Sequence, residues 1–369
     1  MPIKRKNSKG TLRRGWTTGA CATAATSAAY QALLTGSFPD PITITLPHGQ
    51  EPKFSLLRKN LSENKASASI IKDAGDDPDI THGAEIAVTV ALNNENNSIS
   101  FHAGDGVGIV TRPGLALDIG EPAINPGPRG MIKSAIKDIA NKFTPKTSHG
   151  VSITISIPDG KKLAKKTMNG RLGIKGGLSI LGTTGIVIPY SCSSWIHSIH
   201  RGVDVARAAN IKHIAAATGS TSEAAVQKIL KLEDTALIDM GDFAGGLLKY
   251  LRKKPVECLT IAGGIGKLTK LAQGAMDLHS SRSQVNMAGL AEMLSNLGAD
   301  KDTINQVENA NTASQVLELA QKKDLDLGQL IARQARESAM ATLSGGTEVH
   351  VMVFDRNGNC VGKSNAKHT

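Results

Sequence analysis

The sequence predicts a two-domain α/β protein, and three observations carry that prediction. Its 369 residues are enough for two cores. The first half strings short alternating strands around an alanine-rich helix, the pattern of an α+β domain with several antiparallel strands. The second half repeats a strand, a glycine-rich corner and a helix three times in series, the signature of a parallel sheet with crossover helices.

Reading in order, Thr17–Leu34 opens after Thr-Thr-Gly and is rich in alanine, which predicts a capped helix with a closely packing face. Residues 42–46, 66–71, 84–92, 98–101 and 151–157 read as strands, and Asp73–Asp79 as an acidic turn. The stretch from Gly120 to Gly130 carries three prolines and three glycines and is expected to be irregular, a wall or lid leading into a helix from Met131. Strands at 211–217, 235–239 and 256–261 then lead into corners at Thr218–Glu223, Gly241–Gly245 and Gly263–Lys267, each followed by a helix. In such sheets ligands bind beyond the carboxyl ends of the strands, where these corners gather. A helical region from Met287 to Ala341 and a closing hairpin, Val349–Gly362, complete the chain. The domain boundary falls between Pro189 and Ile211, giving segments 1–195, 196–345 and a C-terminal 346–369.

Composition narrows the function. A formal charge of +11 calls for an acidic partner: a polyanionic small molecule, a nucleic acid or an anionic membrane surface. Aromatic residues make up only 3%, which counts against nucleic acid, because bases are usually stacked on rings. No apolar run approaches the ~20 residues that span a bilayer. Cys21, Cys192, Cys258 and Cys360 stand far apart with no CxxC pair, so neither a disulfide framework nor a metal site is expected, and a reducing cytoplasm is the expected compartment. Cys21 and Cys192 read as small buried hydrophobes. The basic stretch Met1–Arg14 reads as a solvated end.

Glycine lets backbone amides approach a ligand, and a helix start adds a positive field, so the corners point to a polar or anionic ligand. Gly263-Gly264-Ile265-Gly266-Lys267 is not a P-loop: the first glycine is missing and Lys267 precedes leucine. A nucleotide-phosphate enzyme and an RNA-binding module remain as rival classes, the latter marked by steep salt dependence.

Taken together, Leu12–Ala25, Gly104-Asp105-Gly106-Val107-Gly108, Asn125-Pro126-Gly127-Pro128-Arg129, Gly176–Gly185, Met240–Gly245 and Gly266–Ala272 resemble the CbiD family, in the family's order and across nearly the whole chain. One departure is Asp277-Leu278-His279-Ser280, where threonine often precedes the histidine in the family. The resemblance implies a cobalt-precorrin-5B C1-methyltransferase of anaerobic cobalamin biosynthesis, using S-adenosylmethionine and giving cobalt-precorrin-6A. It implies an α+β domain like the second domain of ribosomal protein S5 and a Rossmann-like domain. Cobalt would arrive only inside the anionic tetrapyrrole. No nucleic-acid or membrane partner is expected, and a homo-oligomer stays open.

On that reading the adenosyl ligand is expected at Thr218, Gly219, Glu223, Gly241, Asp242, Gly245, Gly264, Gly266 and Lys267, with an acidic group after a strand taking ribose hydroxyls. The macrocycle's carboxylates call for basic partners: Arg13, Arg14, Arg112, Arg129, Arg171, Lys175, Lys267 and Lys270 sit in or beside the corners. Thr17, Thr18, Thr183 and Thr184 join the expected substrate loops. Asp105, between two glycines, is the expected base that makes the ring carbon nucleophilic, its proton affinity retuned by apolar neighbours. His197 and His200 are expected in hydrogen-bonded or surface roles.

Overall fold

The computed structural model describes residues 11–93, 98–143 and 150–364. Most of the basic stretch Met1–Arg14 therefore lies outside the described residues. The chain divides into two units, Met1–Ser191 and Cys192–Thr369.

In the first unit, helix α1 (Thr18–Thr35) is buried nearly all round. Its low amphipathicity follows from that: a helix covered on every side needs no polar face. Thr17 caps it, accepting the Ala20 amide at 3.1 Å, and Gly36 ends it in the left-handed region at φ 77°. Thr23, Thr26 and Ser27 turn their hydroxyls back onto carbonyls one turn earlier at 2.7–2.8 Å, which satisfies polar groups that have no water. The helix lies on a five-stranded sheet of β1 (Arg58–Ser62), β2 (Lys65–Ile71), β3 (Glu85–Asn93), β4 (Ile99–Ala103) and β5 (Gly150–Ser156). Its order is β1-β2-β3-β5-β4, antiparallel except where β4 runs parallel to β5.

Beside α1 packs α2, which runs Pro126–Phe143 and so begins inside the stretch expected to be irregular. Proline is well placed here: in the first helical turn its missing N–H would have had no intrahelical partner, and its fixed φ suits the helix. The expected strand at 42–46 shortens to Ile42–Thr43, paired with Lys53–Phe54.

In the second unit, α3 (Cys192–Ala208) precedes β6 (His213–Ala217), α4 (Ser220–Leu230), β7 (Leu237–Asp239), α5 (Ala244–Lys253), β8 (Cys258–Gly264) and α6 (Ile265–Ala272). The helices α7 (Met287–Asn296), α8 (Lys301–Glu308), α9 (Ala313–Gln321) and α10 (Leu327–Leu343) follow, then β9 (Glu348–Phe354) and β10 (Cys360–Ser364). The sheet order is β7-β6-β8-β9-β10, parallel from β7 to β9, with β10 antiparallel at the edge. The C-terminal hairpin is thus no separate segment: β9 is a fourth parallel strand, its Ile261↔Val351 register completing the core. Both faces of the sheet are covered. Ile214, Ala216, Leu259 and Ile261 pack against α3, α5, α6 and α10, while Ala215, Ala217 and Ala262 meet Val226 of α4. Among the described residues no helix is long and apolar enough to cross a membrane.

Candidate functional site

Beyond the carboxyl ends of β6, β8 and β9 opens a cleft of about 1160 Å³, somewhat above the usual range for a small-molecule pocket. Its floor is made by two helix starts. Gly219 precedes α4 and Gly264 precedes α6, and neither start has a side-chain cap, so the first amides of both helices keep their unsatisfied donors at the cleft. A Cβ at Gly219, Gly264 or Gly266 would meet nothing within 4 Å, leaving open room for a ligand to reach the backbone. Gly263 differs: its Cβ would press on Leu268 at 2.7 Å and on Thr218 Oγ1 at 2.9 Å, so that glycine serves packing.

Lys267 crosses this floor. Its Nζ donates to the Thr218 carbonyl at 2.7 Å and lies 3.1 Å from Asp242 Oδ1. The second contact is an ion pair without hydrogen-bond alignment, and that buried carboxylate oxygen has no other partner among the described residues. Lys270 is buried and donates to the Leu278 carbonyl at 2.9 Å, which fixes the loop forming one wall. On that loop His279 Nδ1 accepts the Ser281 amide at 3.1 Å. Asn311 and Thr312 before α9, and Asp355 and Arg356 after β9, add further polar lining.

The structure brings Thr218, Gly219, Asp242, Gly264, Gly266 and Lys267 of the expected adenosyl residues to one cleft. Glu223, Gly241 and Gly245 do not line it. Glu223 sits in the first turn of α4. Gly241 lies under the Trp195 ring with φ 55°, and Gly245 donates its N–H to the Met276 carbonyl at 2.8 Å. The start of α5 is therefore stoppered by the 276–278 segment rather than left for a ligand, and Asp242 reaches the cleft from a corner that is otherwise closed. The places of the lost corner are taken by the start of α9 and the turn after β9. The second of these had the same signal as the others, a turn after a strand, and was hidden because β9 reads as half of a hairpin.

In the first unit several expected substrate residues are structural. Thr17 caps α1; Thr18 accepts the Leu181 amide at 2.9 Å and is buried. Thr184 accepts the Ile186 amide at 3.2 Å, while Thr183 is exposed. Arg13 binds both oxygens of Asp73, at 2.5 and 2.9 Å. Arg129 is paired with Glu121, donates to the Ile124 carbonyl and lies over the Phe101 ring. Arg112 packs its stem where a Cβ on Gly173 would be. Arg14 and Lys175 are exposed without an ion-pair partner among the described residues. The glycine corners here interlock: a Cβ on Gly106 would strike the Ile157 carbonyl, and one on Gly177 the backbone of Gly106.

Asp105 does not have the apolar surroundings expected of a base. It is exposed, in a turn with Gly106 at φ 74°, and Lys161 stands 2.7 Å away. The hydrogen bond and charge of Lys161 hold its carboxyl below the usual range, so it is a weaker base than an ordinary aspartate. His200 stacks on Tyr250 at 3.9 Å, and burial lowers its pKa, in keeping with a packing role. Burial pushes the Cys21 thiol up to about 12, as expected of a core cysteine. Cys192 is instead only half-buried and accepts a bond from Arg282 at 3.4 Å.

A four-stranded parallel core with a polar cleft beyond its strand ends, uncapped helix starts on its floor and a lysine across it makes the second unit an α/β unit with its candidate site at the strand ends. The particular family follows from comparison. Residues 4–189 match the family model of CbiD and residues 277–365 that of the CbiD C-terminal domain. The chain belongs to the CbiD family. Proteins named cobalt-precorrin-5B C(1)-methyltransferase from Brucella anthropi and Brucella canis are each 55% identical to it over 363 residues, 98% of either chain. A crystal structure of the cobalamin biosynthesis protein CbiD from Archaeoglobus fulgidus is 27% identical, covering 73% of this chain and 83% of that one, with a TM-score of 0.39.

Proposed function

We propose that this chain transfers the methyl group of S-adenosylmethionine to C1 of cobalt-precorrin-5B, giving cobalt-precorrin-6A in the anaerobic route to cobalamin. The observation that carries this reading is 55% identity across 98% of relatives bearing that enzyme's name. The finer fold reading belongs with it: a first unit like the second domain of ribosomal protein S5 and a Rossmann-like second unit, the latter supported by four parallel strands with helices on both faces.

S-adenosylmethionine binds in the second-unit cleft. The uncapped amides before α4 and α6 take its carboxylate, as helix starts take anions. Asp242 accepts ribose hydroxyls, oriented by Lys267. Methyl transfer from the sulfonium is an in-line displacement: the carbon nucleophile forms the new C–C bond as the C–S bond breaks, its electron pair staying on sulfur. The leaving thioether needs no proton, so alignment of donor and acceptor does most of the work. The acidic macrocycle is met by exposed basic side chains, with Arg14 and Lys175 the foremost of those expected from sequence, since Arg13 and Arg129 are already paired.

The deciding experiment is single-turnover incubation of the purified chain with S-adenosylmethionine and cobalt-precorrin-5B, with the product analysed by mass spectrometry and NMR. A new methyl carbon at C1 with one equivalent of S-adenosylhomocysteine is expected. Binding of S-adenosylmethionine without methylation of this substrate would remove the reading.

A further inference from the structure

We propose that His213, Cys258 and His350 form a binding site for a divalent, thiol-seeking transition metal of the zinc class, at the end of the second-unit sheet opposite the cleft. Widely spaced cysteines gave no sign of it in the sequence, and a metal site was not expected. The sheet register creates it. His213 on β6 pairs with Cys258 on β8, and Thr260 on β8 pairs with His350 on β9. Strand side chains alternate, so these four residues leave the same face, the one that carries Ala215, Ala217, Ala262 and Met352 further along. They stand where that apolar cover ends.

The three residues each offer one ligand atom, and these atoms all lie within 4.8 Å of one another. Cys258 Sγ and His350 Nδ1 are 3.9 Å apart. In a tetrahedral zinc site, bonds of about 2.3 Å to sulfur and 2.0–2.1 Å to nitrogen put the two donors roughly 3.6 Å apart. Small side-chain rotations close that difference. All three residues are half-buried, sheltered yet within reach of an ion, and three protein ligands leave a fourth position for water.

The outer partners fit the same purpose. His350 Nε2 donates its N–H to Glu348 Oε1 at 2.7 Å, which leaves Nδ1 with its lone pair towards the thiol. His213 Nε2 lies 2.8 Å from Thr260 Oγ1. A carboxylate behind a ligating histidine fixes ring orientation and raises its basicity, the arrangement common around protein-bound zinc. Five residue steps lead from His213 to Thr218 at the cleft, about 16 Å at 3.2–3.4 Å each, so the ion would clamp β6, β8 and β9 at their starts and take no direct part at the cleft.

The test uses the full chain freed of metal by chelator, titrated with Zn²⁺ against a chromophoric competitor and with Co²⁺ as the spectroscopic probe. Uptake of one Co²⁺ per chain is expected, with a thiolate-to-cobalt charge-transfer band and a higher melting temperature. Cys258→Ser and, separately, His350→Gln should abolish the band. Glu348→Gln should weaken Zn²⁺ binding on the order of 10- to 100-fold. Far-ultraviolet circular dichroism and S-adenosylmethionine affinity report whether each variant is folded. No stoichiometric uptake by the folded wild-type chain would overturn the proposal, as would a charge-transfer band that survives in folded Cys258→Ser.

Discussion

Lys267 and Asp242 stand 3.1 Å apart on the cleft floor, one from the first turn of α6 and the other from the corner after β7. The pair joins two crossover units of one sheet, and the lysine reaches a third through the Thr218 carbonyl. Hydrogen bonds from a ligand to a charged side chain contribute about 1.5–3 kcal/mol. Asp242→Asn and Lys267→Ala are therefore each expected to weaken S-adenosylmethionine binding by about tenfold or more, since 1.4 kcal/mol is a factor of ten in affinity. Isothermal titration decides it, and affinities within twofold of wild type would show that the pair is remote from the ligand.

The glycines around the same floor separate folding from binding. Gly266 lies inside α6 with open space where a Cβ would go, so Gly266→Ala should raise stability by up to about 1 kcal/mol while weakening the cofactor. Gly263→Ala should destabilise, because its Cβ meets Leu268 and Thr218. Thermal melts paired with binding curves test both; a Gly266→Ala enzyme that binds normally would place the ligand elsewhere.

Asp105→Asn should leave turnover within a few fold of wild type. The residue is exposed, its carboxyl is held below the usual range by Lys161, and Asn-Gly makes as good a turn as Asp-Gly. A loss of about 10²- to 10⁴-fold in kcat with unchanged S-adenosylmethionine affinity would instead assign it as the general base.

Lys72 is buried in the first unit and pairs with Asp79 at 2.7 Å. Burial works to raise the Asp79 carboxyl, but Lys72 and the Thr81 donors together bring it below the usual range. A carboxyl lowered on folding stabilises above its unfolded pKa, about 3.9, and that contribution fades as pH falls through it towards the folded value. Lys72→Met should cost about 3–5 kcal/mol at pH 7 by leaving Asp79 charged without its cation, held only by the Thr81 donors. The gap to wild type should narrow below about pH 4, where Asp79 takes up a proton. Urea unfolding followed at Trp16 in a Trp195→Phe background reads the first unit; a gap independent of pH would mean that lost packing, not charge, sets the cost.

Affinity for the cobalt-precorrin should fall steeply with salt, because a chain of net charge +11 meets a polycarboxylate whose attraction is screened over about 8 Å at physiological ionic strength. Titrations at low and high salt give the slope. A flat response would mean that shape holds the macrocycle.

The sequence by itself determined the two-unit α/β organisation, the alanine-rich α1 with a capped start, the strand, corner and helix rhythm of β6 to α6, and the family. These rest on local periodicity, on capping chemistry and on the order of motifs, all of which survive in one dimension. It also placed Gly219, Gly264, Gly266 and Lys267 at the cleft, since a turn after a parallel strand faces the ligand end of its sheet. Tertiary structure decided what depends on which residues share a neighbour. It stoppered the Gly241–Gly245 corner with the Met276 carbonyl, tied Arg13, Arg129 and Asp105 into ion pairs, and brought the turn after β9 to the cleft. It also set His213, Cys258 and His350 side by side on three strands. A side chain's charge is visible in the sequence. Whether that charge is already spent on a partner dozens of residues away is fixed only when the register of strands and the packing of loops are set.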